Sequence, residues 1–241
     1  MTVWTMTRKR NSPTSAVDFS HIHMDLLAGR SIDSIRSLPL GDGAIDDHFE
    51  VSLDDRDSNT KRIVLRGDFT DFHHIGAHLS AGEIWVDGNA GDHLGAAADG
   101  KRVGMLGGRI TVTGNAGDHL GHRMRRGEIW VAGDVGRFAA ASMIAGTIVV
   151  AGRLSTDAAI GMRRGSLLVN EMPTLADGRF TAALEREYLI ASLIDSPQAS
   201  PNNAAPQADF GSMWDRFRHK RVLVRRGDRA VQGQGEIVSP L

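Results

Sequence analysis

Histidine is the residue type whose spacing most invites chemistry here. His73, His74, His78, His93, His119 and His122 crowd one stretch of the chain. Imidazole is both a metal ligand and a proton carrier near neutral pH. His74 and His78 have the His-x-x-x-His spacing that converges two ligands on one metal ion when the intervening residues are helical. Gly76 lies between them and disfavours a helix. Asp92-His93 and Asp118-His119 recur as a turn word, so these histidines read as turn residues, with partner contacts as the second reading. The carboxylates Asp87, Asp92 and Asp118 are too few, and too confined to turns, for a calcium-binding lyase face. No catalytic, cofactor-binding or metal residue is therefore assigned.

Cations and aromatics suggest recognition instead. Arg125-Arg126 and Arg163-Arg164 are 38 residues apart. If they stack on one face they form a basic stripe, either a solvated surface or a site for acidic groups of a partner subunit or an anionic cofactor tail. Trp85 and Trp130 are expected to point outward, where tryptophan commonly anchors an interface or is covered by a loop or the tail. Trp214 and Phe217, beside the basic run from Arg218 to Arg226, complete the partner-contact candidates.

The elements that would carry these residues announce themselves as a repeat. Gly82-Glu83-Ile84-Trp85-Val86, Gly108-Arg109-Ile110-Thr111-Val112 and Gly127-Glu128-Ile129-Trp130-Val131 are nearly one word, and weaker copies begin at Gly146 and Gly165. The last four copies start 19 residues apart. Met105, Met124, Met143 and Met162 keep the same period three residues ahead of each strand glycine, and Leu79 takes that place earlier. Gly-Asn-Ala-Gly-Asp-His-Leu-Gly separates strands at 88–95 and 114–121, and an insertion at Ala96 to Arg102 is assigned to an outer loop. About twenty of the 28 glycines lie between Gly67 and Gly165, too dense for helix. Strands stacked about 4.8 Å apart would align the Ile, Val and Met positions as buried ladders, with glycines at the corners. The pattern predicts an all-β chain, a parallel β-helix of about 19 residues per turn.

Flanking segments follow. Residues 1–56 form an N-terminal strand and cap segment, with a strand at Phe49, Val51 and Leu53, and residues 57–172 hold the repeats, beginning with Ile63-Val64-Leu65. Leu184, Tyr188 and Ala191 share one helical face, so 173–197 is read as a capping helix. Residues 198–209 form a Ser/Pro/Asn/Ala-rich linker and 210–241 an extended C-terminal tail, whose Gly235-Glu236-Ile237-Val238 echoes the strand word and suggests either a return to the repeats or docking on a partner.

Composition narrows the classes. A net charge of −1 gives no electrostatic reason to expect nucleic acid, and the absence of cysteine removes disulfides, thiolate metal sites and iron–sulfur ligation. No apolar run approaches the ~18–20 residues that span a bilayer, and Arg8-Lys9-Arg10 is not followed by an apolar signal region. A cytoplasmic protein with no membrane partner is expected.

The run from Gly114 through Gly117, Gly121, Met124, Gly127, Ile129 and Val131 to Gly133 resembles the repeat of the formylmethanofuran dehydrogenase C-subunit family, also known from the GXGXG C-terminal domain of glutamate synthase. The resemblance covers about residues 60–170. It implies a right-handed β-helix that supports catalytic subunits without an active site of its own. The family has two settings: a tungsten or molybdenum dehydrogenase in archaea, and a formyltransferase/hydrolase complex in methylotrophic bacteria. Arg- and Ala-rich composition and the long tail favour the second. Such a complex moves a formyl group from formyl-tetrahydromethanopterin to a methanofuran-type cofactor and releases formate, with its metal held by a partner. The rival classes are a stand-alone β-helix enzyme and a glutamate-synthase-type domain, the latter known as part of a far longer chain. The 19-residue period is not the hexapeptide period of solenoid acyltransferases.

Overall fold

The computed structural model describes residues 2–13, 15–55, 61–187, 210–218 and 221–241. The chain begins with β1 (Thr2–Arg8), β2 (Val17–Asp18), α1 (Met24–Leu27), α2 (Ile32–Arg36), β3 (Pro39–Leu40), β4 (Gly43–Ala44), α3 (Ile45–His48) and β5 (Phe49–Asp55). The repeats supply β6 (Lys61–Arg66), β7 (Phe72–His73), β8 (Glu83–Asp87), β9 (Leu106–Val112), β10 (Arg126–Val131), β11 (Thr147–Val150) and β12 (Ser166–Val169). β13 (Leu184–Glu187), α4 (Gly211–Arg218), β14 (Arg221–Gly227) and β15 (Gly235–Pro240) close the chain.

One large, mostly parallel sheet dominates, in the order β13-β14-β15-β12-β11-β10-β9-β8-β6-β1-β5. Its register is the one the repeat dictates: Ile63, Ile84, Ile110, Ile129, Ile148 and Leu167 align across strands, as do Leu65, Val86, Val112, Val131, Val150 and Val169. All are at most 1% exposed, as are Leu79 and the four periodic methionines. A second line of parallel bridges joins Phe69, Ala90, Ala116, Val135 and Leu154 on the returning segments. Side chains from both sides meet in a single apolar interior.

The turn word is explained by hydrogen bonds between successive repeats. The side-chain oxygen of Asn89 accepts the Asn115 N–H at 2.9 Å, that of Asn115 accepts the Asp134 N–H at 2.8 Å, and that of Asp134 accepts the Arg153 N–H at 2.7 Å. A parallel series runs from His73 Nδ1 to the Asp92 N–H, from Asp92 to the Asp118 N–H and from Asp118 to the Arg137 N–H, at 3.1, 2.7 and 2.7 Å. Each Asx side chain thus satisfies a backbone donor that its own turn leaves unpaired. The strand glycines are needed because φ is +96° at Gly127 and a Cβ there would lie 2.7 Å from the Gly108 carbonyl oxygen.

Three features differ from the sequence expectation. β1, from a stretch with only scattered apolar residues, enters the sheet between β5 and β6, with Trp4 and Met6 buried on alternate positions. The capping helix fails where 173–197 is described: Leu184–Glu187 is a strand antiparallel to β14. The open edge of β14 supplies backbone partners that outweigh a weak helical spacing. Residues 188–197 and the 198–209 linker lie outside the described residues. The tail is not extended: β15 pairs in parallel with β12, so the echo word Glu236-Ile237-Val238 adds a further strand to the repeat. No helix among the described residues is long and apolar enough to cross a membrane.

Candidate functional site

The histidines occupy a turn whose backbone is set in the left-handed region. His74, His93 and His119 have φ of +59°, +62° and +60°, and Phe138 takes the equivalent place at +60°. Because the turns stack, so do the rings: centroid separations are 4.7 Å for His74–His93, 4.8 Å for His93–His119 and 4.9 Å for His119–Phe138. The Arg137 guanidinium lies 4.9 Å from the Phe138 ring centre. Stacking presents ring faces to one another and turns the nitrogens aside. Among the described residues no three His, Cys, Asp or Glu side chains are grouped to hold a metal ion. His74 and His78 do not form the helical pair, since both have positive φ.

These imidazoles are only partly exposed. Both ring nitrogens of His74, Nε2 of His78 and Nδ1 of His119 and His122 are buried without a hydrogen-bond partner, although His74 Nδ1 is 3.3 Å from an Asp18 oxygen. Burial pushes the His122 pKa down to about 4, with help from the neighbouring Arg123, His119 and His93. Burial, followed by repulsion from His74 and His119, also lowers that of His93; His78 is lowered by burial and then by Lys101. These three rings are neutral at pH 7.

The tryptophans do point away from the interior, but neither is free. Trp130 is fully buried beneath the tail: Phe210, Met213, Trp214 and Phe217 of and beside α4 pack on Trp130, Val149 and Leu168, with Val222 and Val224 from β14. Ring centroids of Trp130 and Trp214 are 5.1 Å apart, and the Trp130 N–H donates to Glu128 at 3.2 Å. Trp214 and Phe217 are 4% and 0% exposed. All three serve the chain's own packing: Trp130 follows the alternative reading of cover by the tail, and Trp214 and Phe217 are corrected from partner contacts to internal ones. The physical reason is that an apolar outer face is covered intramolecularly once the tail returns to the sheet. Trp85 is also buried, at 5% exposure, and its indole N–H has no partner among the described residues.

The arginines behave differently. Arg125, Arg126, Arg163 and Arg164 are all exposed. Among the described residues none of them makes an ion pair or side-chain hydrogen bond. Their backbones are tied into consecutive repeats, the Arg125 N–H to the Met105 carbonyl at 2.9 Å and the Arg163 N–H to the Met143 carbonyl at 2.8 Å. Sequence reading missed their neighbours. The insertion carries exposed Lys101 and Arg102, and Arg123, also exposed, donates to the Lys101 carbonyl at 3.3 Å. Arg123 was visible two residues before Arg125, but Lys101 and Arg102 are more than twenty residues away, and the direction of their loop was not legible.

An open groove of about 610 Å³ lies beside α1, lined by Met24, Lys61, Gly82, Glu83, Arg109 and Glu128 among others. Three of its charged side chains are paired within the chain: Glu83 with Arg62, and Arg109 with Glu128 at 2.8 Å. Paired side chains of this kind make a poor catalytic set, because neither partner is left to act as acid, base or nucleophile.

Comparison with known proteins adds to this geometry. No family model matches the chain. Over 92 residues it is 35% identical to the C subunit of the tungsten-containing formylmethanofuran dehydrogenase 2 of Methanothermobacter thermautotrophicus, and 33% identical to the corresponding subunit of Methanothermobacter marburgensis. These matches cover 36% of this chain and 34% of each relative, so the similarity reaches only about a third of the curated relatives' length. A chain in the crystal structure of the formyltransferase/hydrolase complex (FhcABCD) of Methylorubrum extorquens, solved with methylofuran, superposes with a TM-score of 0.64 at 27% identity, over 98% of this chain and 99% of that one.

Proposed function

We propose that this chain is a non-catalytic scaffold subunit of a formyltransferase/hydrolase complex for one-carbon transfer, and that its repeats form a right-handed parallel β-helix. The observation that carries the reading is the likeness to a chain of the Methylorubrum extorquens complex, which extends from end to end and includes the flanking segments as well as the repeats. The site chemistry agrees: histidines stacked on one another, carboxylates engaged with backbone N–H groups or arginines, and an arginine edge unpaired among the described residues. In this reading residues 57–172 are the supporting solenoid and 210–241 a segment that completes its outer face. The methanofuran-type cofactor, the tetrahydromethanopterin substrate and the metal belong to partner subunits in the cytoplasm.

The experiment is co-expression with the other subunits. The chain is expected to be inactive alone, to co-purify stoichiometrically, and to be required for a stable active complex. Formyl transfer or formate release by the isolated chain would refute the scaffold reading. The second reading, the C subunit of a tungsten or molybdenum formylmethanofuran dehydrogenase, is favoured by the 35% identity to the archaeal protein. Metal analysis of the native complex separates the two: tungsten or molybdenum supports the dehydrogenase, and zinc without either supports the transferase/hydrolase.

A further inference from the structure

Several arginines on this surface are paired with carboxylates across strands or turns. Arg8 pairs with Asp71, Arg62 with Glu83, Arg109 with Glu128, Arg137 with Asp157, Arg153 with Asp134 and Arg226 with Glu236. Most of these pairs bridge neighbouring strands or successive turns, which is the most direct way for a stacked repeat to place a cation beside a carboxylate. The edge that precedes the strand glycines instead gathers four arginines that make no ion pair among the described residues. Its rows read Leu106, then Arg125-Arg126, then Ile144-Ala145, then Arg163-Arg164, each row tied to its neighbour by backbone hydrogen bonds. The row between the arginine pairs is uncharged, so it offers neither pair a carboxylate.

Two observations sharpen this segregation. The inserted loop brings Lys101 and Arg102 to the same end, through the Arg123–Lys101 contact and the hydrogen bond from the Gly104 N–H to the Arg123 carbonyl at 3.0 Å. Leu106, in the first row, is one of the few large apolar side chains left exposed, at 39%. The field is also felt locally, since Arg123 and Lys101 help to keep His122 and His78 uncharged. Like charges held side by side repel, and relief comes from carboxylates brought by another molecule.

We propose that this edge, Arg125, Arg126, Arg163 and Arg164 together with Lys101 and Arg102, docks a carboxylate-rich segment of a partner subunit, with Leu106 and Ile144 as apolar contacts between the charged rows. The proposal rests on the scaffold reading and names the surface by which the scaffold engages its partner. Guanidinium groups suit the task because each can take a carboxylate through two parallel hydrogen bonds. None of the four arginines belongs to either apolar cluster, so charge reversal here leaves the cores untouched.

The test compares the wild-type chain with a variant carrying Arg125→Glu, Arg126→Glu, Arg163→Glu and Arg164→Glu, each co-expressed with the other complex subunits. Circular dichroism and melting temperature check folding, and a second variant with all four changed to Lys retains the charge. The expected result is a folded charge-reversed chain whose affinity for the partner falls at least about tenfold at ~0.1 M salt. Wild-type association should weaken steeply as salt shortens the screening length, and the Lys variant should recover part of the affinity. Equal affinity and equal salt dependence for wild type and the charge-reversed variant would overturn the arginine edge while leaving the scaffold reading intact. Failure of the wild-type chain to associate at all would overturn both. If the wild type instead retains a DNA or RNA oligonucleotide at ~0.15 M salt and the reversed variant assembles normally, the occupant is a nucleic acid and the proposal falls.

Discussion

At the scale of single residues the histidine turn has consequences that do not depend on partners. His122 has its pKa lowered to about 4, against 6.5 for the free side chain, chiefly by burial. A group harder to protonate in the folded than in the unfolded state contributes stability above the unfolded pKa and loses it as pH falls toward the folded pKa. Stability should therefore be flat above pH 6.5 and decline between about 6.5 and 4, with His93 and His78 acting in the same direction. The repeat offers its own controls. Ala77, Ala96 and Ala141 hold the place of His122 in neighbouring turns, all buried, and Phe138 shows that the place of His93 accepts a phenyl ring at positive φ. His122→Ala and His93→Phe should fold, keep their stability at pH 7.5, and lose less stability than wild type on acidification. Urea denaturation in steps from pH 8 to 4 measures this, and parallel profiles for wild type and variants would contradict it. The six histidines were conspicuous in the sequence, and their turn location was legible. The shared phase of His93 and His119 was legible as well; the ring stacking was not, because it depends on the left-handed backbone that the turn imposes.

At the scale of elements the strand glycines and their methionines form a linked pair. A Cβ on Gly127 would meet both the Gly108 carbonyl oxygen and the Met105 methyl, each 2.7 Å away. Gly127→Ala should cost roughly 1–3 kcal/mol, because strained positive φ and a backbone clash act together. Met124→Ala should cost about 2–5 kcal/mol, as expected for a fully buried side chain whose loss leaves a cavity. Chemical denaturation reports both; a Gly127→Ala protein as stable as wild type would mean the corner relaxes freely. What the sequence made legible were elements whose pattern repeats: β6 and β8 to β12 sit where the Ile and Val phases put them, and β15 where its echo word does. Elements that occur once were harder. β1 has a short Trp4–Met6 alternation, and its place depends on the gap between β5 and β6, a property of the assembled sheet. Leu184–Glu187 became a strand because β14 lies next to it, and nothing within the four residues records that neighbour.

The whole molecule is closed at its C-terminal end by its own tail, and this decides what the outer face can offer. β15 occupies the free edge of β12, α4 covers Trp130, and a carboxylate fixes the turn between β14 and β15. Asp228 is fully buried; burial works to raise its pKa, but hydrogen bonds from Arg179 and from the Gly161 and Ala230 N–H groups outweigh it and hold the carboxyl below the usual range. A chain ending at residue 209 would leave the β12 edge unpaired and Trp130, Val149 and Leu168 uncovered, a combination that promotes edge-to-edge association. The truncated chain should self-associate, bind hydrophobic dye, and shift its tryptophan emission to longer wavelength. Asp228→Ala should loosen the same segment less severely, by about 1–3 kcal/mol, by leaving two backbone donors and the Arg179 guanidinium without their acceptor. Limited proteolysis of Asp228→Ala should then cut first within 210–241 while the repeats survive. A truncated chain that stays monomeric with unshifted emission would mean that something other than the tail shields Trp130. With that face occupied from within, the arginine edge remains as a cluster of cations, unpaired among the described residues, that a partner can reach.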